Sequence, residues 1–142
     1  MPVLTNYHIF ISHAWRYGQE YTRLINLLNN APNFLYQNFS APREKPLLNL
    51  DATDVQTTIE IQRAITRKIS PCCCVLVISG MYAMYSRWMQ YEIDTARRFG
   101  KPIIAIRPYG GMRMPSAVVD AASVTVGWNT DSIVSAIRSY HR

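Results

Sequence analysis

Cys72-Cys73-Cys74-Val75-Leu76-Val77-Ile78-Ser79 is the stretch on which the fold turns. It is apolar without alternation, and it has the length of a strand. A continuous apolar run of this length is what a strand buried on both faces requires, and such strands belong to parallel sheets covered by helices. The run is far shorter than the roughly 20 apolar residues of a membrane-spanning helix. Its three cysteines point in alternating directions along a strand, which disfavours bridging among them, and the chain has no second cysteine cluster for a zinc site. They are read as small buried hydrophobes in a reducing compartment.

Working outward in both directions, helical and strand patterns alternate. On the N-terminal side, Val55–Ile69 places Ile61, Ala64, Ile65 and Ile69 on one helical face, and Pro71 closes it. Before it, Ser40–Asp54 carries Pro42, Pro46 and mixed charges and reads as a long loop. Phe34–Phe39 reads as a short strand, and Gly18–Asn30 as an amphipathic helix through Tyr21, Leu24, Ile25 and Leu28. Tyr7–Ser12 is β-branched and aromatic, hence the first strand. On the C-terminal side, Ser86–Phe99 is expected as a helix capped by Ser86 and stopped by Gly100, with Pro102 beyond. Ile103–Arg107 and Ala122–Val126 are the fourth and fifth strands, and Asn129 caps a final helix whose face is Ile133, Ala136, Ile137 and Tyr140.

Strands alternating with helices predict an α/β fold, a flavodoxin-like three-layer sandwich around a five-stranded parallel sheet of order 2-1-3-4-5. With 142 residues and no internal repeat, residues 1–142 are expected to form a single domain. A composition of 49% hydrophobic and 17% charged residues is that of a globular chain, not a disordered one. The opening Met-Pro-Val-Leu lacks the basic start and apolar run of a secretory signal, so a cytoplasmic chain with no membrane segment is expected. The net charge of +6 comes from fifteen basic residues scattered without a run, twelve of them arginine. That pattern fits a solvated basic surface or a phosphate-bearing small ligand better than a nucleic-acid interface.

In such a sheet, ligands sit beyond the carboxyl ends of the strands where the strand order reverses, between strands 1 and 3. That rule selects Ser12–Tyr17, the loop from Asn38, and Ser79–Ser86. Phosphate-cradling glycine loops, nucleophile turns and the acidic cluster of a phosphate receiver are all absent from these places. His13 has no suitably spaced partner for a metal, and no metal is expected. In Ser86-Arg87-Trp88-Met89-Gln90-Tyr91-Glu92-Ile93, Met89, Ile93 and Ala96 form the core stripe. Trp88 and Glu92, four apart, share a neighbouring face near the sheet's carboxyl edge. An indole beside a carboxylate there is placed to meet a ligand; a rim tryptophan and a solvated glutamate are the plain structural alternative.

Three of these stretches resemble a known family. Tyr7-His8-Ile9-Phe10-Ile11-Ser12-His13 is similar to the opening strand of Toll/interleukin-1 receptor (TIR) domains. Ser86-Arg87-Trp88-Met89-Gln90-Tyr91-Glu92 resembles their Ser-x-Trp-x-x-x-Glu helix, and Lys101-Pro102-Ile103-Ile104-Ala105-Ile106 the strand after it. The longer Tyr85–Ile93 block and Gly127-Trp128-Asn129 look like the TIR-like branch of bacterial Thoeris antiphage systems. The resemblance implies cleavage of the nicotinamide–ribose bond of NAD⁺ and a cyclic or modified ADP-ribose signal. It implies Glu92 as the catalytic residue and Ser12, His13, Ala14, Asn38, Ser40, Ser86 and Trp88 as substrate contacts. NAD⁺ would be a substrate, with no permanently bound cofactor. Self-association through TIR surfaces and a downstream effector that senses the product would be the partners. The loop Ser40-Ala41-Pro42-Arg43-Glu44-Lys45-Pro46 departs from receptor-type TIR domains. A non-catalytic assembly module is the alternative function; a flavin-binding or receiver protein is a weaker third.

The chemistry implied is economical. Nicotinamide leaves a cationic pyridinium as a neutral molecule, so no acid need protonate it, and the transition state resembles a ribosyl oxocarbenium ion. One carboxylate in a water-poor site can stabilise that charge. A glutamate of ordinary pKa, about 4.3, would already be ionised at neutral pH. Trp15, Tyr17 and Trp88 are candidates to stack on the nicotinamide or adenine, and the arginines to meet the pyrophosphate.

Overall fold

A computed structural model describes residues 5–12, 19–40, 55–78, 87–107 and 114–140. The elements alternate along the chain: β1 (Asn6–Ser12), α1 (Gln19–Asn29), β2 (Leu35–Asn38), α2 (Val55–Ile69), β3 (Cys74–Ile78), α3 (Arg87–Arg98), β4 (Ile103–Ile106), α4 (Ser116–Ala121), β5 (Val124–Val126) and α5 (Thr130–Ser139). The five strands form one parallel sheet ordered β2-β1-β3-β4-β5. This is the flavodoxin-like order expected from the alternation of periods.

The apolar run from Cys72 explains the centre. Every residue of β3 is buried, because its two faces serve two cores. Cys74, Leu76 and Ile78 pack with Ile9 and Ile11 of β1, Leu24 and Leu28 of α1 and Ile133 and Ile137 of α5. Val75 and Val77 pack on the opposite face with Phe10, with Ile61 and Ile65 of α2, Met89 and Ile93 of α3 and Val118 of α4. Helices α1 and α5 therefore cover one side of the sheet, and α2, α3 and α4 the other. The β2 edge strand alternates exposed and half-buried residues, as an outer strand with one partner does.

The three cysteines are free thiols. Burial pushes the Cys72 thiol up to about 12, and its Sγ donates to the Lys68 carbonyl at 3.1 Å. The Cys74 thiol is also raised, first by its contact with Cys73 and then by burial.

Element ends differ from the sequence reading by one or two residues, and one helix was not expected. The segment before the fifth strand holds a two-turn helix, α4, that periodicity did not reveal, since Val118 is its one fully buried residue. The fifth strand starts at Val124 and not at Ala122, because the Ala122 amide is spent on closing α4 through the Val118 carbonyl at 3.0 Å. Among the described residues no helix is long and apolar enough to cross a membrane.

Candidate active site

The candidate site grows from the end of β1. Side chains alternate across a strand, so Phe10 and Ser12 face α2 and α3 while Ile9 and Ile11 face α1. Ser12 is the last residue of β1, pairs with Val77 of β3 and is fully buried. It therefore lies at the carboxyl edge, on the boundary between strands 1 and 3 where the strand order reverses.

Glu92 reaches this point from α3. Met89, Ile93 and Ala96 are buried and fix that helix on the sheet. At 100° per residue Glu92 falls about 60° from Met89 and about 40° from Ala96, on the margin of the buried stripe. Its side chain is accordingly enclosed by protein on most sides yet partly open to solvent. The Ser12 hydroxyl donates to Glu92 Oε1 at 2.7 Å, joining residues eighty positions apart.

Burial pushes the Glu92 carboxyl up to about 8, and the Ser12 hydrogen bond opposes the shift only in part. This corrects the expectation of a glutamate of ordinary pKa, ionised at neutral pH. The carboxyl is then largely protonated at pH 7, because among the described residues no cationic side chain offsets the loss of hydration. The signal was present in the sequence: position 92 is three residues after Met89 and four before Ala96, both on the core stripe.

Asn38 and Ser40 are placed elsewhere. Asn38 is level with Ile9, three residues or about 10 Å short of Ser12 along the strand direction. It shares the face of Tyr36, toward α1 and away from Glu92. Its Nδ2 donates to the Tyr21 hydroxyl at 2.7 Å, and its Oδ1 accepts from the Ser40 amide at 2.9 Å and from the Ser40 hydroxyl. Tyr21, which the sequence reading used only as a helix-face residue, is the centre of this second cluster. The structure thus joins Ser12 to Glu92 but sets Asn38 and Ser40 on the opposite layer, against the reading that made them walls of one pocket.

His13, Ala14, Trp15, Tyr17 and Ser86 lie outside the described residues, as does the loop after Ser40. Trp88 is the second residue of α3, one turn before Glu92. Among the described residues no group of three or more His, Cys, Asp or Glu could hold a metal ion.

A parallel sheet with a half-buried carboxyl at its switch point defines a class of α/β domain that can meet a ligand over the strand ends. Within that class the chain belongs to the TIR-like domain family of the Thoeris protein ThsB, whose family model matches residues 10–112. That family is one of antiphage defence. No curated protein sequence matches the chain.

Solved structures share the fold at low identity. A conserved protein from Enterococcus faecalis V583 aligns with a TM-score of 0.65 at 10% identity, over 95% of this chain and 99% of that one. A 2-deoxyribosyltransferase from Bacillus psychrosaccharolyticus aligns with a TM-score of 0.60 at 15% identity, over 83% and 84%. The CMP N-glycosidase BcmB of Clostridium botulinum aligns with a TM-score of 0.53 at 15% identity, over 94% and 99%.

Proposed function

We propose that the protein cleaves the nicotinamide–ribose bond of NAD⁺ and converts the ADP-ribosyl group into a cyclic or modified signal in antiphage defence. The observation that carries this reading is the Glu92 carboxyl, half-buried at the sheet's switch point and held through one oxygen by Ser12. Family membership supports it, and so does the fold shared with proteins named a 2-deoxyribosyltransferase and an N-glycosidase.

Glu92 has a definite task in such a reaction. In the free protein the carboxyl is protonated at pH 7, and the arrival of a pyridinium replaces missing water with a positive charge, which favours the carboxylate. The proton leaves to solvent as substrate binds. As the glycosidic bond lengthens, charge moves from the pyridinium ring to the ribose, and the carboxylate stabilises it there. Nicotinamide departs neutral and needs no acid. His13, Ala14 and Ser86, with Trp88 on α3, surround the substrate in this proposal, while a site poor in water favours an internal or second nucleophile over hydrolysis. Self-association completes the site, and an effector that senses the product is the downstream partner.

The test is direct: incubate the purified protein with NAD⁺, with and without a crowding agent, and measure free nicotinamide. Release by the parent protein and its loss in Glu92→Gln are expected. Turnover by Glu92→Gln at the parental rate would remove Glu92 from the chemistry.

A further inference from the structure

We propose that Ser12 is a positioning residue, whose hydroxyl binds one oxygen of Glu92 and thereby leaves the other for the reacting ligand. The inference rests on the functional reading above for the identity of that ligand, and on the geometry alone for the coupling of the two side chains.

Ser12 was expected from the family resemblance to touch substrate. Its surroundings assign it differently. It is fully buried, and its hydroxyl proton is committed to Glu92 Oε1 at 2.7 Å. A hydroxyl has one proton to give, so a substrate cannot take that donor without releasing Glu92. Glu92 makes one hydrogen bond among the described residues, the one from Ser12, which leaves Oε2 for a ligand.

The holding point is also rigid. Ser12 ends a strand paired with β3, and Glu92 follows Met89 and precedes Ile93, both buried against the same layer. A carboxylate on a flexible two-carbon stem is thereby held between a strand end and a packed helix, which is the kind of support a precise site requires.

Among the described residues, the other polar groups on these elements have their own partners. His8, on the same face of β1, lies about 13 Å down the strand and packs on Phe39 with ring centroids 5.0 Å apart. Tyr91 turns toward α2, within 3.2 Å of the Thr66 hydroxyl. The residues of α2 and β3 that share a core with Met89 and Ile93 are apolar, among them Ile61, Ile65 and Val77. Among the described residues, burial and the Ser12 hydrogen bond act on the Glu92 carboxyl, and they act in opposite directions. Removing the hydroxyl withdraws the one that favours ionisation.

The experiment reads that coupling without relying on turnover. Label the protein with ¹³C at the glutamate carboxyl carbons, identify the Glu92 signal by its absence in Glu92→Gln, and titrate the parent, Ser12→Ala and Ser12→Cys. The Glu92 midpoint should rise by about one pH unit, a tenfold gain in proton affinity, in Ser12→Ala. Ser12→Cys, nearly the same size with a weaker donor, should move the same way, and it keeps the test alive if the alanine variant does not fold. In NAD⁺ turnover the acid limb of kcat/KM, which reports the free protein, should move by the same amount. A Glu92 midpoint unchanged in both variants would overturn the proposal. A midpoint that moves in a protein whose parent releases no nicotinamide would uphold the coupling and overturn the NAD⁺ reading instead.

Discussion

A glutamate held at about 8 is mostly neutral at pH 7, whereas the substrate proposed for it carries a pyridinium cation. Binding then requires that the carboxyl lose its proton, and the cost grows as the pH falls. The direction of the shift sets the sign: below about 8 the free protein holds a proton that the complex does not, so lowering the pH weakens binding. The KM for NAD⁺ is expected to rise by up to about tenfold for each pH unit below 8, until the pKa of the complex is reached. Initial rates of nicotinamide release between pH 6 and 9 measure it, and a KM flat across that range would contradict the link. The buried thiols make a second residue-level prediction. With the Cys72 thiol raised to about 12 and Cys74 raised as well, neither forms the reactive thiolate at pH 8. Iodoacetamide should leave both unmodified in the native protein and alkylate all three cysteines in denaturant, as peptide masses would show.

Element boundaries test how local chemistry sets the fold. Gly100 closes α3 with φ +68°, and a Cβ placed there would meet nothing within 4 Å. Gly100→Ala should therefore cost only the left-handed backbone penalty, about 1 kcal/mol in urea unfolding. Asn129 Oδ1 accepts from the Ser132 amide at 2.8 Å at the start of α5, and Asn129→Ala should cost about the same. A loss above about 3 kcal/mol at either position would mean that packing, and not capping, is at stake. Both residues were legible in the sequence, because a glycine stop and an asparagine cap act over four residues. So were β3, whose apolar run needs no partner to be recognised, and the helix bearing Met89, Ile93 and Ala96. Helix α4 was not, since six residues with one buried side chain carry no period. Its existence was still implied, because two parallel neighbours, β4 and β5, must be joined by a crossover. The proximity of Ser12 and Glu92 followed from strand order, whereas the opposite facing of Asn38 depended on which parity of β2 meets α1. A four-residue edge strand with polar positions on both faces does not declare that parity.

For the whole molecule, the candidate site is a place where the fold gives up stability. In the unfolded chain a glutamate loses its proton near pH 4.3, while Glu92 in the folded protein keeps its proton to about 8. Between those values the folded state binds more protons than the unfolded state, so stability falls as the pH rises through that window, and above it the loss is complete. Glu92→Gln removes the ionisation and keeps the shape of the side chain, with an amide oxygen still able to accept from Ser12. The variant should match the parent near pH 5 and exceed it by about 2 kcal/mol at pH 8.5, a figure below the full shift because the site is partly open to solvent. A glutamate that merely decorated the helix surface would give no such difference at either pH. A catalytic one should give a variant that is both inactive and more stable, since interactions kept for chemistry are commonly unfavourable to the resting fold. Urea unfolding of the two proteins at pH 5.5 and 8.5 separates these cases. An advantage for Glu92→Gln that does not grow between the two pH values would show that burial does not hold the Glu92 proton, and the pH dependence expected for NAD⁺ binding would fall with it.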